Sequence, residues 1–203
     1  MNKFLNRVYS NMKPEETRQF YDEWASSYDS EIAENGYVTP KRVASALYEH
    51  IADCNTPILD FGCGTGISGQ ALKLAGFSVI DGMDPSREML EVARQKGIYR
   101  KATVSDIDDS SPIPNSVYKA IAAIGVIGIG SAPFGIFHVI MNALQAGGLM
   151  GFSLNDHALA DAEYEGALHQ WIDNGKAQLL FREYGPHLPG QNIKSNVYVV
   201  EKL

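Results

Sequence analysis

The sequence predicts an α/β fold: a mostly parallel sheet covered by helices on both faces. Three observations carry this. Short apolar strand-like runs alternate with amphipathic helical segments from residue 57 to about 172, the pattern of repeated βαβ units. A glycine cluster, Gly62-Cys63-Gly64-Thr65-Gly66, stands where the first strand turns into the first helix of that series. The last thirty residues carry two strand-like runs with no helix between them, so they should pair antiparallel.

The elements follow in order. Pro14-Glu15-Glu16 opens a helix, with proline in the first turn and acids at the positive end of the dipole. Tyr21, Trp24, Ala25, Tyr28 and Ile32 continue it along one face, and Asn35-Gly36 ends it. Thr39-Pro40 opens a second helix that buries Val43, Ala44, Leu47, Tyr48 and Ile51. Pro57 to Phe61 is a strand, Ile67 to Leu74 a helix stopped by Gly76, and Phe77 to Met83 a strand. Ser86 to Gln95 is a helix with Met89, Leu90 and Ala93 inward. Lys101 to Val104 and Val117 to Val126 are strands, the second strongly apolar. Phe134 to Leu144 is a helix closed by Gly147-Gly148, Leu149 to Leu154 a strand, and Ala158 to Ile172 a helix. Lys176 to Glu183 and Ile193 to Lys202 are the tail strands, joined by a turn-rich stretch from Tyr184 to Gly190.

Composition narrows the function. The 203 residues fit one domain, 45% are apolar and 20% charged, and 17 basic side chains face 24 acidic ones for a net charge of −7. That balance argues against unspecific nucleic-acid binding and against an anionic membrane surface. The two cysteines, Cys54 and Cys63, cannot build a disulfide framework or a closed zinc site, and five scattered histidines lack metal-ligand spacing; no metal is expected. The first sixteen residues hold no apolar stretch of the secretory kind, and a cytoplasmic, reducing setting is expected.

The glycine loop is where a ligand should bind. Gly64-Thr65-Gly66-Ile67-Ser68-Gly69 satisfies G-x-G-x-x-G, so an NAD-dependent oxidoreductase is one reading. Charge favours another. Asp60 precedes the first glycine, and no Lys or Arg occurs from Ile58 to Leu72. An acid beside a pyrophosphate is repulsive by roughly 1–4 kcal/mol at contact, depending on the effective dielectric. A ligand with an ammonium and a sulfonium, such as S-adenosylmethionine, suits that acid. Asp84, eighteen residues after Gly66, ends the second strand, where a carboxylate can take both ribose hydroxyls; before Pro85 it can also cap the next helix. Asp106 ends the third strand, where it can accept from an adenine amino group while Ile107 packs on the ring; with Asp108 and Asp109 it also reads as a solvated acidic turn.

These motifs resemble the class I S-adenosylmethionine-dependent methyltransferases. The resemblance rests on Tyr21-Asp22-Glu23-Trp24-Ala25-Ser26-Ser27-Tyr28-Asp29, Leu59 to Gly66, Gly82-Met83-Asp84-Pro85-Ser86 with Met89-Leu90 and Ala93, Asp106, and Gly147-Gly148. Within the family the chain is similar to the ubiquinone-biosynthesis-type branch. Phe152 to His157 and Glu183 to His187 also resemble the Williams–Beuren-region methyltransferase-like proteins.

The resemblance implies a Rossmann-like seven-stranded sheet of order 3-2-1-4-5-7-6 with the last strand antiparallel. It implies an N-terminal helical lid over residues 1–52, a cofactor core over 56–155, and a helix with a β-hairpin over 156–203. Asp60, Gly62, Cys63, Gly64 and Gly66 would hold the methionine part, Asp84 the ribose, and Asp106 with Ile107 the adenine, with Pro85 and Met89 also among the cofactor-binding residues. Ile124 and Gly125 would approach the methionyl amine and sulfonium, with Tyr21 and Tyr28 from the lid. Trp24 is read as packing.

Methyl transfer to a small acceptor needs a base only where the acceptor must lose a proton. His157, Tyr184 and His187 are the candidates, and each also has a plain structural reading. The expected partner is a small-molecule methyl acceptor, with neither nucleic acid nor membrane, for a monomer or a homodimer. Besides the oxidoreductase, a cofactor-binding protein without catalysis is the remaining alternative. The usual aromatic-Asp at the start of the fourth strand is Tyr118-Lys119 here, and no Asn- or Asp-Pro-Pro-Tyr-like motif follows that strand.

Overall fold

The computed structural model describes residues 4–10 and 12–203; the expectation about the leader lies outside the described residues where it falls on 1–3 and 11. Three N-terminal helices, α1 (Pro14–Trp24), α2 (Tyr28–Glu34) and α3 (Thr39–His50), precede β1 (Ile58–Phe61). Then come α4 (Ile67–Ala75), β2 (Ile80–Asp84), α5 (Arg87–Gln95), β3 (Lys101–Val104) and β4 (Ala120–Ala123). The chain continues with α6 (Gly135–Ala143), β5 (Leu149–Asn155), α7 (Asp156–Leu159), α8 (Ala162–Asp173), β6 (Ala177–Leu188) and β7 (Ile193–Lys202).

The strands form one seven-stranded sheet in the order β3-β2-β1-β4-β5-β7-β6. The first five run parallel, and β7 pairs antiparallel with both β5 and β6, as expected. Alternation along the strands divides the core in two. Leu59, Phe61, Ile121, Ala123, Met150 and Phe152 meet α6 and α8, while Ile58, Ala120, Ala122, Val197 and Val199 meet α3 and α4. A third cluster, Phe4, Leu5, Val8, Phe20, Trp24, Ile32, Met89 and Leu188, joins the N-terminal segment to α5 and the end of β6. No helix among the described residues is long and apolar enough to cross a membrane.

Several boundaries differ from expectation, each for a local reason. The single helix read through Tyr21 and Ile32 is broken at residues 25–27 into α1 and α2. Ser27 N donates to Trp24 O at 3.0 Å, a tight turn that ends α1, and the Ser30 hydroxyl donates to Ser27 O at 2.9 Å. The helix expected from Ala158 to Ile172 is likewise split: Asn155 caps α7 and Asp161 caps α8. β4 stops at Ala123 because Gly125, at φ +70°, turns the chain away. The stretch from Tyr184 to Leu188 is strand rather than turn. β6 absorbs Pro186 as an edge strand, with register irregularities at Leu179/Phe181 and Pro186/Leu188, and only Pro189–Gln191 remains as the turn.

Candidate functional site

The carboxyl ends of β1, β2 and β4 converge under the N-terminal helices. Gly62 and Gly64 differ in what their missing side chains permit. Both have positive φ, +68° and +52°. A Cβ at Gly62 would lie 2.4 Å from Val126 Cγ2, whereas one at Gly64 would meet nothing within 4 Å. Gly62 therefore serves packing, and Gly64 borders open space at the strand ends. Cys63 is buried behind the loop, where burial pushes its thiol up. Gly69, third glycine of the G-x-G-x-x-G match, is filled by protein: its Cβ would lie 2.3 Å from Tyr99 Oη. Tyr99 also lies against Gly66 and Gly82.

Asp84 ties two loops together. Its Oδ2 accepts from Gly64 N at 2.8 Å and its Oδ1 from Ser86 N at 2.9 Å. The cap of α5 is Ser86, whose hydroxyl accepts from Met89 N at 3.1 Å. Asp84 is thus not the helix cap, and each of its carboxylate oxygens keeps acceptor capacity beyond its backbone donor. Asp60 is fully buried; its Oδ2 accepts from Ser68 Oγ at 2.7 Å and Tyr99 Oη at 2.6 Å. Its Oδ1 is buried without a partner among the described residues. Burial is the main cause that raises the carboxyl of Asp60 to about 7 and that of Asp84 to about 6. Asp81, inside β2, is held instead by Arg100 and the Tyr118 hydroxyl, which gives the unusual Tyr118-Lys119 opening a structural role.

The remaining candidates separate clearly. Ser105 N donates to Asp84 O at 3.1 Å, so the end of β3 adjoins Asp84. Asp106 is exposed and its Oδ1 accepts from Asp108 N at 2.9 Å, closing its own turn, with Ile107 half-buried beside it. Ile124 packs its side chain into the α3–α4 core, leaving only its backbone toward the strand ends. Gly125 N donates to Ser153 Oγ at 3.0 Å, and its Cβ would lie 2.3 Å from Tyr37 Oη. Met89 is buried among the N-terminal aromatics, and Pro85 is half-buried.

Next to Gly125 a small cavity is lined by Tyr9, Tyr21, Trp24, Tyr28, Tyr37 and His187, together with aliphatic and small polar residues. The hydroxyls of Tyr9, Tyr21, Tyr28 and Tyr37 have no hydrogen-bond partner among the described residues. Burial pushes all four up, Tyr9 to about 12, so they stay protonated. Trp24 is a packing residue, with its indole among Phe4, Phe20, Tyr21 and Tyr28. α3 is part of the core, while Asp22 of α1 and Asp29 of α2 fasten the first two helices to it through side-chain polar contacts. Ser86 donates to Asp22 at 2.5 Å, and Asp29 takes Thr65 Oγ1 and Lys96 Nζ, each at 2.5 Å.

The three base candidates end up in different places. His157 is exposed on α7 and lies against the Tyr9 ring, with centroids 4.2 Å apart. Tyr184 is 55% exposed and donates to Asp156 at 2.8 Å, away from the cavity. His187 is buried in the cavity wall, edge-on to Tyr37, with Nδ1 2.8 Å from Thr39 Oγ1; burial lowers it to about 4. Tyr9, Tyr37, Thr39 and Tyr99 carry no motif. Their only signal in the sequence is position: Tyr37 stands in the turn between two helices, Thr39 opens the second of them, and Tyr99 lies just before β3.

The residues present fit S-adenosylmethionine. Open space borders Gly64, an acid with spare acceptor capacity stands at the end of β2, and the buried Asp60 holds an orphaned oxygen. Two buried carboxylates suit a cationic ligand and disfavour a pyrophosphate.

The same carboxylates set a pH dependence. Their folded values lie above the usual carboxylate value of 3.8, so the protonated forms favour folding. Their contribution is full below about pH 4 and is lost as pH rises through 6 and 7. Thermal melts of the ligand-free protein from pH 5 to pH 8 should show this decline, and Asp60→Asn should flatten it. An Asp60→Asn profile as steep as wild type would contradict the assignment.

Comparison with known proteins agrees with this geometry. A family model described as a methyltransferase domain matches residues 58–148. Human methyltransferase-like protein 27 is 27% identical over 157 residues, covering 76% of this chain and 63% of that protein. A probable 18S rRNA (guanine-N(7))-methyltransferase of Dictyostelium discoideum is 33% identical over 115 residues, 53% of this chain and 38% of that protein. The chain thus spans less than two thirds of the length of these relatives. Among solved structures, the [4+2]-cyclase SpnF superposes with a TM-score of 0.69 at 16% identity, covering 95% of this chain and 97% of that one, a likeness of fold. The sheet order and the acid-flanked glycine loop agree with the match: residues 58–148 form a methyltransferase domain of the class I S-adenosylmethionine-dependent kind, and S-adenosylmethionine is the cofactor that this site fits.

Proposed function

We propose that the protein methylates a small, uncharged acceptor bound in the tyrosine-lined cavity beside Gly125. The observation that carries this reading is the wall itself: among the described residues it holds no Asp, Glu, Lys or Arg side chain. A charged acceptor would lose its hydration there without a counter-charge.

S-adenosylmethionine supplies an electrophilic methyl group on a sulfonium. The chain's own residues would position it. Asp84 would take the ribose hydroxyls, Asp60 and the loop from Gly62 to Gly66 would hold the methionine part, and Asp106 with Ile107 would border the adenine. The backbone at Ile124 and Gly125 would face the methionyl end, with Tyr21 and Tyr28 above it. The segment with α1 and α2, up to Glu34, would act as a lid that excludes water and fixes the approach of the acceptor, because in-line displacement depends chiefly on geometry, whereas α3 is built into the core on the sheet. The Asp22–Ser86 and Asp29–Thr65 contacts support that role.

An RNA acceptor is the second reading, favoured by the rRNA methyltransferase among the relatives. The net charge of −7 and the uncharged wall count against it. The test is transfer of labelled methyl groups from S-adenosylmethionine to a panel of phenols, catechols, enols and neutral amines, set beside total RNA. Label in a panel member and none in RNA supports the proposal; label in RNA alone overturns it.

A further inference from the structure

His187 is buried, yet it is part of a directional hydrogen-bond chain. Arg42 Nη1 donates to Ser195 Oγ at 3.1 Å, Ser195 Oγ lies 3.2 Å from Thr39 Oγ1, and Thr39 Oγ1 lies 2.8 Å from His187 Nδ1. Thr39 and Ser195 are both completely buried. A guanidinium can only donate, so it sets the direction at one end. With Ser195 Oγ accepting from Arg42, its own proton goes to Thr39 Oγ1, and the Thr39 proton goes to Nδ1. The reverse order would have Nδ1–H donate to Thr39 and Thr39 donate to Ser195. The Ser195 proton would then be buried with no acceptor among the described residues, an arrangement folded proteins avoid.

We propose that the Arg42–Ser195–Thr39 chain locks His187 as its Nε2–H tautomer, so that it is a fixed donor that positions an uncharged, oxygen-bearing acceptor and not a base that deprotonates it. This rests on the cavity being the acceptor site. Nε2 makes no hydrogen bond to the described residues and is not among the sealed, unpaired polar atoms, and the residue that carries it lines the cavity. The charged and titratable groups around the ring agree. Arg42 from α3 and His157 from α7 disfavour an imidazolium, and burial outweighs the opposing effect of Asp156; Tyr37, the ring it meets edge-on, stays neutral. The cavity then offers donors, Nε2–H and tyrosine hydroxyls, to a ring-bearing molecule with a hydroxyl or carbonyl oxygen.

The experiment is nitrogen NMR of histidine-labelled protein, with His187 assigned from the His187→Gln spectrum. Wild type should show a neutral Nε2–H ring from pH 8 down to pH 5, and Thr39→Val should lose the fixed tautomer. An Nδ1–H ring, or an imidazolium at pH 7, overturns the proposal without touching the cofactor assignment. Phenol is then titrated into protein saturated with S-adenosylhomocysteine. Saturable binding that shifts the Nε2–H proton, weakens at least fivefold in His187→Phe and is largely kept in His187→Gln supports the donor role. Phenol binding that is indifferent to His187→Phe overturns that role. No saturable binding overturns the cavity assignment beneath it, while the tautomer result stands separately.

Discussion

Asp84→Ala should weaken binding of S-adenosylhomocysteine by at least about tenfold, as measured by calorimetric titration. A hydrogen bond to a charged acceptor contributes about 1.5–3 kcal/mol, and each 1.4 kcal/mol is about tenfold, so loss of even one ribose contact reaches that level. The substitution also frees Gly64 N and Ser86 N, which Asp84 now holds at 2.8 and 2.9 Å, and so loosens the glycine loop itself. Asp84→Asn should not rescue binding. An amide cannot accept from both backbone N–H groups at once, because one of its two ends is a donor. Asp81→Asn is the control: Asp81 lies three residues away on β2 but pairs with Arg100 and Tyr118, so its loss should lower stability and leave affinity close to wild type. Unchanged affinity in Asp84→Ala would refute the ribose role.

Trp24→Ala should detach the N-terminal helices while leaving the sheet folded. Truncating a buried tryptophan costs about 3–5 kcal/mol. Trp24 is 1% exposed and sits among Phe4, Phe20, Tyr21 and Tyr28. Those side chains belong to a cluster separate from the two that cover the sheet. The polar latches to Ser86, Thr65 and Lys96 end on the partly exposed Asp22 and Asp29 and cannot offset such a loss. Hydrogen exchange should therefore speed up across residues 14–34 with β1, β4 and β5 still protected, and S-adenosylhomocysteine should bind more weakly. Uniform loss of protection through the sheet would contradict a separately opening lid, as would no change at all.

Much of this architecture was legible in the sequence because local chemistry dictates it. Positive-φ glycines between Phe61 and Ile67 fix the turn after β1, and a tail without a helix forces the antiparallel β7. The acids at the ends of β1, β2 and β3 could be placed by strand position alone. What they touch could not. Asp60 meets Tyr99 from thirty-nine residues away, and His187 meets Thr39 across 148 residues; such pairings are made by tertiary packing and leave no local pattern. The same holds for Tyr9 and Tyr37, whose cavity exists only once the N-terminal segment folds over β4. Pro186 misled in the other direction. Proline and glycine read as a turn, but an edge strand tolerates both. The Ser26-Ser27 break was visible as a composition signal, yet the aromatic periodicity on either side outweighed it.

The acid-flanked glycine loop should bind an S-adenosyl cofactor and not a dinucleotide. Calorimetric titration of the purified protein with S-adenosylhomocysteine and, separately, with NAD tests it most directly. Saturable one-to-one binding of S-adenosylhomocysteine and no measurable heat from NAD are expected. Binding of NAD with none of S-adenosylhomocysteine would contradict it.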